Sequence, residues 1–127
     1  MPASVMNRVP GRILIVEDEP VVSELLRNFL ATVADEVATA ANGADALEIV
    51  PVFQPDIVLT DMMMPVMSGP ELLDALRRTG VTVPVILMSG QIMSSEGFFG
   101  LLQKPFDLHK LVELVTAALD HVRTERA

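Results

Sequence analysis

Short β-branched apolar runs alternate with stretches of helical periodicity along this chain, and that alternation constrains its fold more than any other feature. Arg12 to Val16 reads as a buried strand that stops at the polar Glu17-Asp18-Glu19-Pro20. Pro20 suits a first helical turn, and Val21, Val22, Leu25, Leu26, Phe29 and Leu30 follow at helical spacing. Val37 to Ala40 predicts a weaker second strand, Asn42-Gly43 punctuates it, and ADALEIV reads as a helix whose end is obscured by Pro51. Asp56 to Thr60 predicts a third strand running to Asp61. Pro70 to Thr79 predicts a helix packing through Leu72, Leu73 and Leu76, and Val83 to Met88 a fourth strand buried on both faces. Gly100 to Gln103 is expected as a short fifth strand. Asp107 then caps a last helix whose face carries Leu108, Leu111, Val112, Val115 and Leu119. Parallel neighbours need crossover connections, so this order predicts a doubly wound five-stranded parallel sheet with helices on both faces.

The length of 127 residues, half of them hydrophobic, suits one domain with one contiguous core. Residues 12–123 are expected to form it, with residues 1–11 as a flexible lead-in and 124–127 as a tail. The lead-in has no apolar run of signal-peptide length, and no segment approaches a membrane span. The absence of cysteine excludes disulfides and thiolate metal sites and fits a reducing compartment, so a cytoplasmic location is expected. A net charge of -8, with 17 acidic against 9 basic residues and no basic cluster, argues against direct contact with nucleic acid.

In parallel sheets of this kind, sites lie beyond the carboxyl ends of the strands. The first strand ends at Glu17 and Asp18, the third at Asp61, the fourth at Ser89 and the fifth at Lys104. Carboxylates gathered without a cation repel one another, and a divalent ion relieves this. Oxygen ligands alone favour Mg²⁺ or Mn²⁺ over zinc or copper, and Mg²⁺ is commonly completed by phosphate oxygens. The set therefore suits phosphoryl transfer, with Asp61, Ser89 and Lys104 available as nucleophile and donors. Taken singly each has a plainer reading: Asp61 as a turn residue, Ser89 as a turn residue with Gly90, Lys104 as a surface cation. Met62, Met63, Met64 and Met67 have the composition of a soft Cu(I) site, but methionine more often fills gaps in a core. His109 and His121, on the last helix, are assigned no role in phosphotransfer.

The segments "ILIVEDEP", "PDIVLTDMMMPVMSG", "VPVILMSG" and "LLQKPF", in that order, resemble the response-regulator receiver domain of two-component signalling, over Arg12 to Val122. The resemblance implies a flavodoxin-like fold and a phosphoryl-accepting switch rather than a turnover enzyme. Asp61 would take a phosphoryl group from a phosphohistidine on a histidine kinase or histidine phosphotransfer protein. Asp18, Asp61 and the backbone carbonyl of Met63 would bind Mg²⁺, with Glu17 acting through water. Ser89 would donate to a phosphoryl oxygen, Lys104 would pair with Asp61 or its phosphate, and Pro105 would follow a cis bond. The first helix, including Val22, Leu25 and Leu26 where they are not buried, and the loop before the last helix would meet the donor. The output would be a downstream protein or an attached kinase domain, and no output domain follows in this sequence.

Two competing functions are a pseudo-receiver that binds partners without being phosphorylated and an aspartate-nucleophile phosphatase. The intact acidic, Ser and Lys positions count against the first. Met63, where such phosphatases place a second carboxylate, counts against the other. The sequence also departs from the family in two ways. Only 15 positions separate Ser89 from Lys104, so the fourth helix is expected to be short or missing. The switch position that many receivers fill with Tyr or Phe is Leu101, which leaves Phe98 and Phe99 as candidates to take over part of the packing change that couples to Ser89.

Overall fold

The structure, a computed structural model, describes residues 9–91 and 96–126. Five strands, β1 (Val9–Val16), β2 (Ala34–Ala40), β3 (Ile57–Asp61), β4 (Val85–Ser89) and β5 (Gly100–Gln103), form one sheet in the order β2-β1-β3-β4-β5. Every neighbouring pair is parallel. The helices are α1 (Pro20–Leu30), α2 (Gly43–Phe53), α3 (Gly69–Arg78) and α4 (Leu108–Arg126). From β1 the chain runs outward to β2, then returns past β1 to β3, so the strand order reverses between β1 and β3. That reversal leaves a crevice at their carboxyl ends.

Strand residues alternate between two packed layers, as the period of two requires. Ile13, Ile15, Ile57, Leu59, Ile86 and Met88 meet Leu26 and Leu30 of α1 and Leu111, Val115 and Leu119 of α4. Leu14, Val16, Val58 and Val85 meet Ala46 and Val50 of α2 and Leu72 and Leu76 of α3. The central strands are buried on both faces, which is why they read as unbroken apolar runs.

Several boundaries differ from the periodicity. The ladder of β1 begins at Val9, with a register shift between Val9 and Arg12. β2 begins at Ala34 rather than Val37; it is an edge strand, so Asp35 and Glu36 stay exposed and break the apolar signal. α2 runs through Pro51 to Phe53 and ends at Gln54, which takes a left-handed conformation (φ 52) and donates its N–H to Val50 O at 2.8 Å. α3 opens on a capping box between Ser68 and Glu71. The Asp107 carboxylate accepts the His109 N–H at 2.8 Å, and α4 continues to Arg126.

A short or missing fourth helix is not what the described residues show. They carry four helices, and the fourth in chain order is the longest at 19 residues. Between β4 and β5, residues 92–95 lie outside the described residues, and the described flanks are bends and turns. Residues 1–8 of the expected lead-in also lie outside them.

Leu59→Ala, in a fully buried position of the central strand, is expected to lower the unfolding free energy by about 2–5 kcal/mol in denaturant melts. Val52→Ala, at a position 84% exposed, should change it by less than about 0.5 kcal/mol.

Candidate functional site

The crevice gathers side chains from three strand ends. Glu17 directly follows β1 and is tied to the neighbouring strand by its N–H, which donates to Ala40 O at 3.0 Å. Its carboxylate is buried and accepts the Glu19 N–H at 3.1 Å and the Lys104 ammonium at 3.3 Å. Asp18 is half-buried beside it. Asp61 is the last residue of β3 and only 7% exposed. Its Oδ1 accepts the Met62 N–H at 3.0 Å and lies 3.0 Å from Lys104 Nζ. Carboxylate oxygens of Glu17, Asp18 and Asp61 lie within 4.8 Å of one another.

Backbone contacts hold the two donor positions in place. Ser89 ends β4 and is buried; its carbonyl accepts the Lys104 N–H at 2.7 Å and its Oγ accepts the Gln91 N–H at 3.1 Å. Lys104 follows β5, and its peptide bond to Pro105 is cis. On the other side Gly69 opens α3 against the end of β3. Its N–H donates to Met62 O at 3.0 Å, and a Cβ there would sit 2.7 Å from the Asp61 carbonyl oxygen. Only glycine permits that approach.

Burial, and after it the charge of Asp61, holds the Glu17 carboxyl above its ordinary value of 4.5, against the opposing pull of the Glu19 N–H and Lys104. Burial acts to lower the Lys104 ammonium, but its hydrogen bond to Asp61 and the charge of Glu17 outweigh this and hold it above 10.5. Three carboxylates sharing one ammonium leave excess negative charge. The donor set is hard oxygen, as Mg²⁺ requires, and an octahedral ion with ligands at about 2.1 Å separates them by roughly 3–4 Å.

The remaining candidates are dispersed. Met63 is 74% exposed, whereas Met64 and Met67 pack against the core layer of α2 and α3, the gap-filling role that methionine more often takes. Leu101 is half-buried and registers with Leu87. Phe98 packs against the α2–α3 layer, and Phe99 donates its N–H to Val85 O at 2.8 Å, at the end of β4 remote from Ser89. The Phe99 ring instead meets His121, with centroids 5.8 Å apart. His109 and His121 pair with Glu113 and Glu125 one turn along α4. Beside the crevice lies an apolar groove of about 480 Å³, lined by Val22, Leu25, Lys104, Pro105, Phe106 and Leu108. Leu26 is fully buried and contributes nothing to that surface.

Sequence reasoning overlooked the bond between Lys104 and Glu17, the Met62 N–H on Asp61 and the packing of Gly69. The first two involve a distant contact and a backbone group, which leave no residue pattern. The third had a signal, because Ser68-x-x-Glu71 marks a helix start at Gly69.

Gly69→Ala is expected to cost about 1–3 kcal/mol in denaturant melts, since its Cβ meets backbone. In metal-free protein, stability should fall as pH climbs from 4.5 through the raised Glu17 value. Over that window the unfolded chain binds fewer protons than the folded one. Glu17→Gln should remove that decline in melts repeated across the pH range.

Comparison with known proteins agrees with this geometry. A family model described as "Response regulator receiver domain" matches residues 13–116. Regulator of RpoS from Escherichia coli K12 is 37% identical over 119 residues, covering 87% of this chain and 35% of that protein. Response regulator MprA from Mycobacterium sp. strain KMS is 36% identical over 118 residues, covering 87% of this chain and 51% of its own length. The chain thus spans about a third to a half of the curated relatives it matches. Among solved structures, response regulator protein TrrA from Thermotoga maritima, in complex with Mg(2+)-BeF, superposes with a TM-score of 0.75 at 32% identity, over 84% of this chain and 97% of that one. Chemotaxis protein CheY4 of Vibrio cholerae gives 0.79 at 26% identity, over 85% and 98%. The sheet order, the acidic crevice and these matches lead to one assignment: the chain belongs to the response regulator receiver domain family of two-component signalling.

Proposed function

We propose that this receiver domain is a phosphoryl-accepting switch, that Asp61 is the acceptor, and that residues 12–123 form the functional unit. The observation that carries the proposal is the position of Lys104 Nζ, 3.0 Å from Asp61 Oδ1 and 3.3 Å from Glu17 Oε1, with the carboxylates of Glu17, Asp18 and Asp61 clustered beside it. The two packed layers on opposite faces of the sheet support the doubly wound arrangement that leaves the crevice open.

In the transfer, an Asp61 carboxylate oxygen attacks phosphorus in line with the phosphohistidine nitrogen. The O–P bond forms as the N–P bond breaks, and the electron pair returns to the imidazole. Lys104 holds the acceptor oriented and then faces a more negative partner, the phosphoryl group. The Ser89 hydroxyl donates to a phosphoryl oxygen. Asp18, Asp61 and the Met63 carbonyl, with Glu17 through water, would hold Mg²⁺ or Mn²⁺. The ion supplies positive charge against the crowding of carboxylate and phosphoryl oxygens. The complex of TrrA with Mg(2+)-BeF supports this reading.

Met63, two residues after the acceptor, offers no carboxylic acid to drive release, which favours a lasting acyl phosphate over turnover of an external substrate. The donor is a histidine kinase or histidine phosphotransfer protein. Val22 and the 60% exposed Leu25, beside Pro105 and Phe106, form the groove that would receive it. The output is a downstream protein or an attached domain. No helix among the described residues is long and apolar enough to cross a membrane, and a cytoplasmic location is the setting in which such a donor would be met.

Incubation with acetyl phosphate and Mg²⁺ should add a single phosphoryl group by intact mass, absent with EDTA and absent in Asp61→Asn. Lys104→Met should slow labelling about 100-fold. An adduct retained by Asp61→Asn at the wild-type rate would move the acceptor elsewhere.

A further inference from the structure

Four of the chain's eight methionines, Met62, Met63, Met64 and Met67, follow Asp61 closely, and the phosphoryl chemistry uses none of their sulfurs. The chain has no cysteine, so methionine is its only sulfur nucleophile. Met88 is fully buried, whereas these four are half-buried or exposed. They differ in what the sulfur meets. Met63 is 74% exposed. Met67 Sδ is pressed against Gly43 at the start of α2, where a Cβ would stand 2.7 Å from it. Met64 Sδ lies 3.9 Å from Thr60 Oγ1 and accepts its hydroxyl.

That hydroxyl is fully buried and also donates to the Asp61 carbonyl oxygen at 3.1 Å. It has one proton to share between the two acceptors. The Asp61 carbonyl and the Met62 N–H belong to one rigid peptide plane. That N–H donates to Asp61 Oδ1 at 3.0 Å, so the Thr60 proton holds one end of the unit whose other end orients the acceptor carboxylate. A thioether is a weak acceptor and leaves the proton with the carbonyl. An oxygen bonded to Sδ on the side facing Thr60 would come one bond length closer, into the O–H···O range of about 2.5–3.0 Å, and compete for that proton.

Resting on the acceptor role proposed for Asp61, we infer that Met64 is an oxidation site through which a hydroperoxide turns phosphoryl acceptance down. The Sδ lone pair attacks the terminal peroxide oxygen. The S–O bond forms as the O–O bond breaks, the peroxide proton passes to the departing oxygen, and the products are methionine sulfoxide and water or an alcohol. Sulfur loses two electrons and the peroxide gains them. The sulfoxide oxygen then draws the Thr60 proton from the Asp61 carbonyl, the peptide unit loses that grip, and the Met62 N–H no longer fixes Asp61 Oδ1. Methionine sulfoxide is enzymatically reducible, so the change reverses.

The test reads acetyl phosphate labelling at Asp61 by intact mass, before and after hydrogen peroxide, with each sulfoxide located by peptide mass mapping. Wild type carrying Met64 sulfoxide should label about tenfold more slowly, and methionine sulfoxide reductases of both epimer specificities should restore the rate. Met64→Leu, close in volume, should stay within about twofold of untreated wild type before and after peroxide, although Met63 still oxidises. Met64→Gln, which carries an amide oxygen, should be slow without peroxide. Thr60→Val, which lacks the proton, should slow no further on oxidation. An unchanged rate in protein mapped as Met64 sulfoxide would overturn the inference. So would a Met64 that stays unoxidised while Met63 is converted, a Met64→Leu protein that slows as much as wild type, or full peroxide sensitivity in Thr60→Val. If untreated wild type takes no label at Asp61, the acceptor reading itself fails and the inference falls with it.

Discussion

One ammonium between two carboxylates organises the functional end of this molecule. Lys104 bridges Glu17 at the end of β1 and Asp61 at the end of β3, while its own backbone N–H is held by Ser89 at the end of β4. Residues separated by 87 positions are thereby fixed at hydrogen-bond distance. A recessed carboxylate pair without that cation would leave at least one group protonated or force it toward water. With it, two of the carboxylates gain a cationic partner, and Asp18 adds a third acidic group beside them. The crevice is thus poised for further positive charge, and the strand reversal between β1 and β3 is what makes room for it.

The sheet does the positioning. Central strands buried on both faces have little freedom to shift register, since a slip of one residue would turn each apolar side chain into the wrong layer. Asp61 and Ser89 therefore inherit fixed positions from Leu59 and Leu87, two residues earlier. The loops beyond the strands are pinned in their turn: Gly69 lies against Asp61 and the Ser68–Glu71 box starts α3 at that contact. Val66, in the left-handed region (φ 72), sits between such pins, in a turn closed by the Met67 N–H on Pro65 O.

Much of this was legible in the residues, for physical reasons that differ by element. β3 and β4 are unbroken apolar runs because both faces are covered, and they were readable without periodicity. Glu17, Asp18, Asp61 and Lys104 come together because each ends or directly follows a strand of one parallel sheet. β2 was legible only in its inner half, since an edge strand keeps Asp35 and Glu36 in water. Pro51 lies in the last turn of α2, where it removes one N–H from the ladder, yet the helix continues to Phe53, so the proline obscured the helix end without breaking it. The expected shortening of the fourth helix came from counting positions between Ser89 and Lys104. Four helices stand among the described residues, and the spacing says nothing of where the long last helix ends. The Lys104–Glu17 bond and the left-handed Val66 depend on tertiary contacts and backbone path, which no local pattern encodes.

Calorimetric titration of Mg²⁺ shows whether Lys104 and a divalent cation compete for the same carboxylates. Removing one positive charge beside Glu17 and Asp61 strengthens the attraction for another, so Lys104→Met should bind Mg²⁺ about tenfold more tightly than wild type, and Asp61→Asn more weakly. Identical Mg²⁺ affinity in all three proteins would place the ion away from this crevice and leave Lys104 with no competitor for its carboxylates.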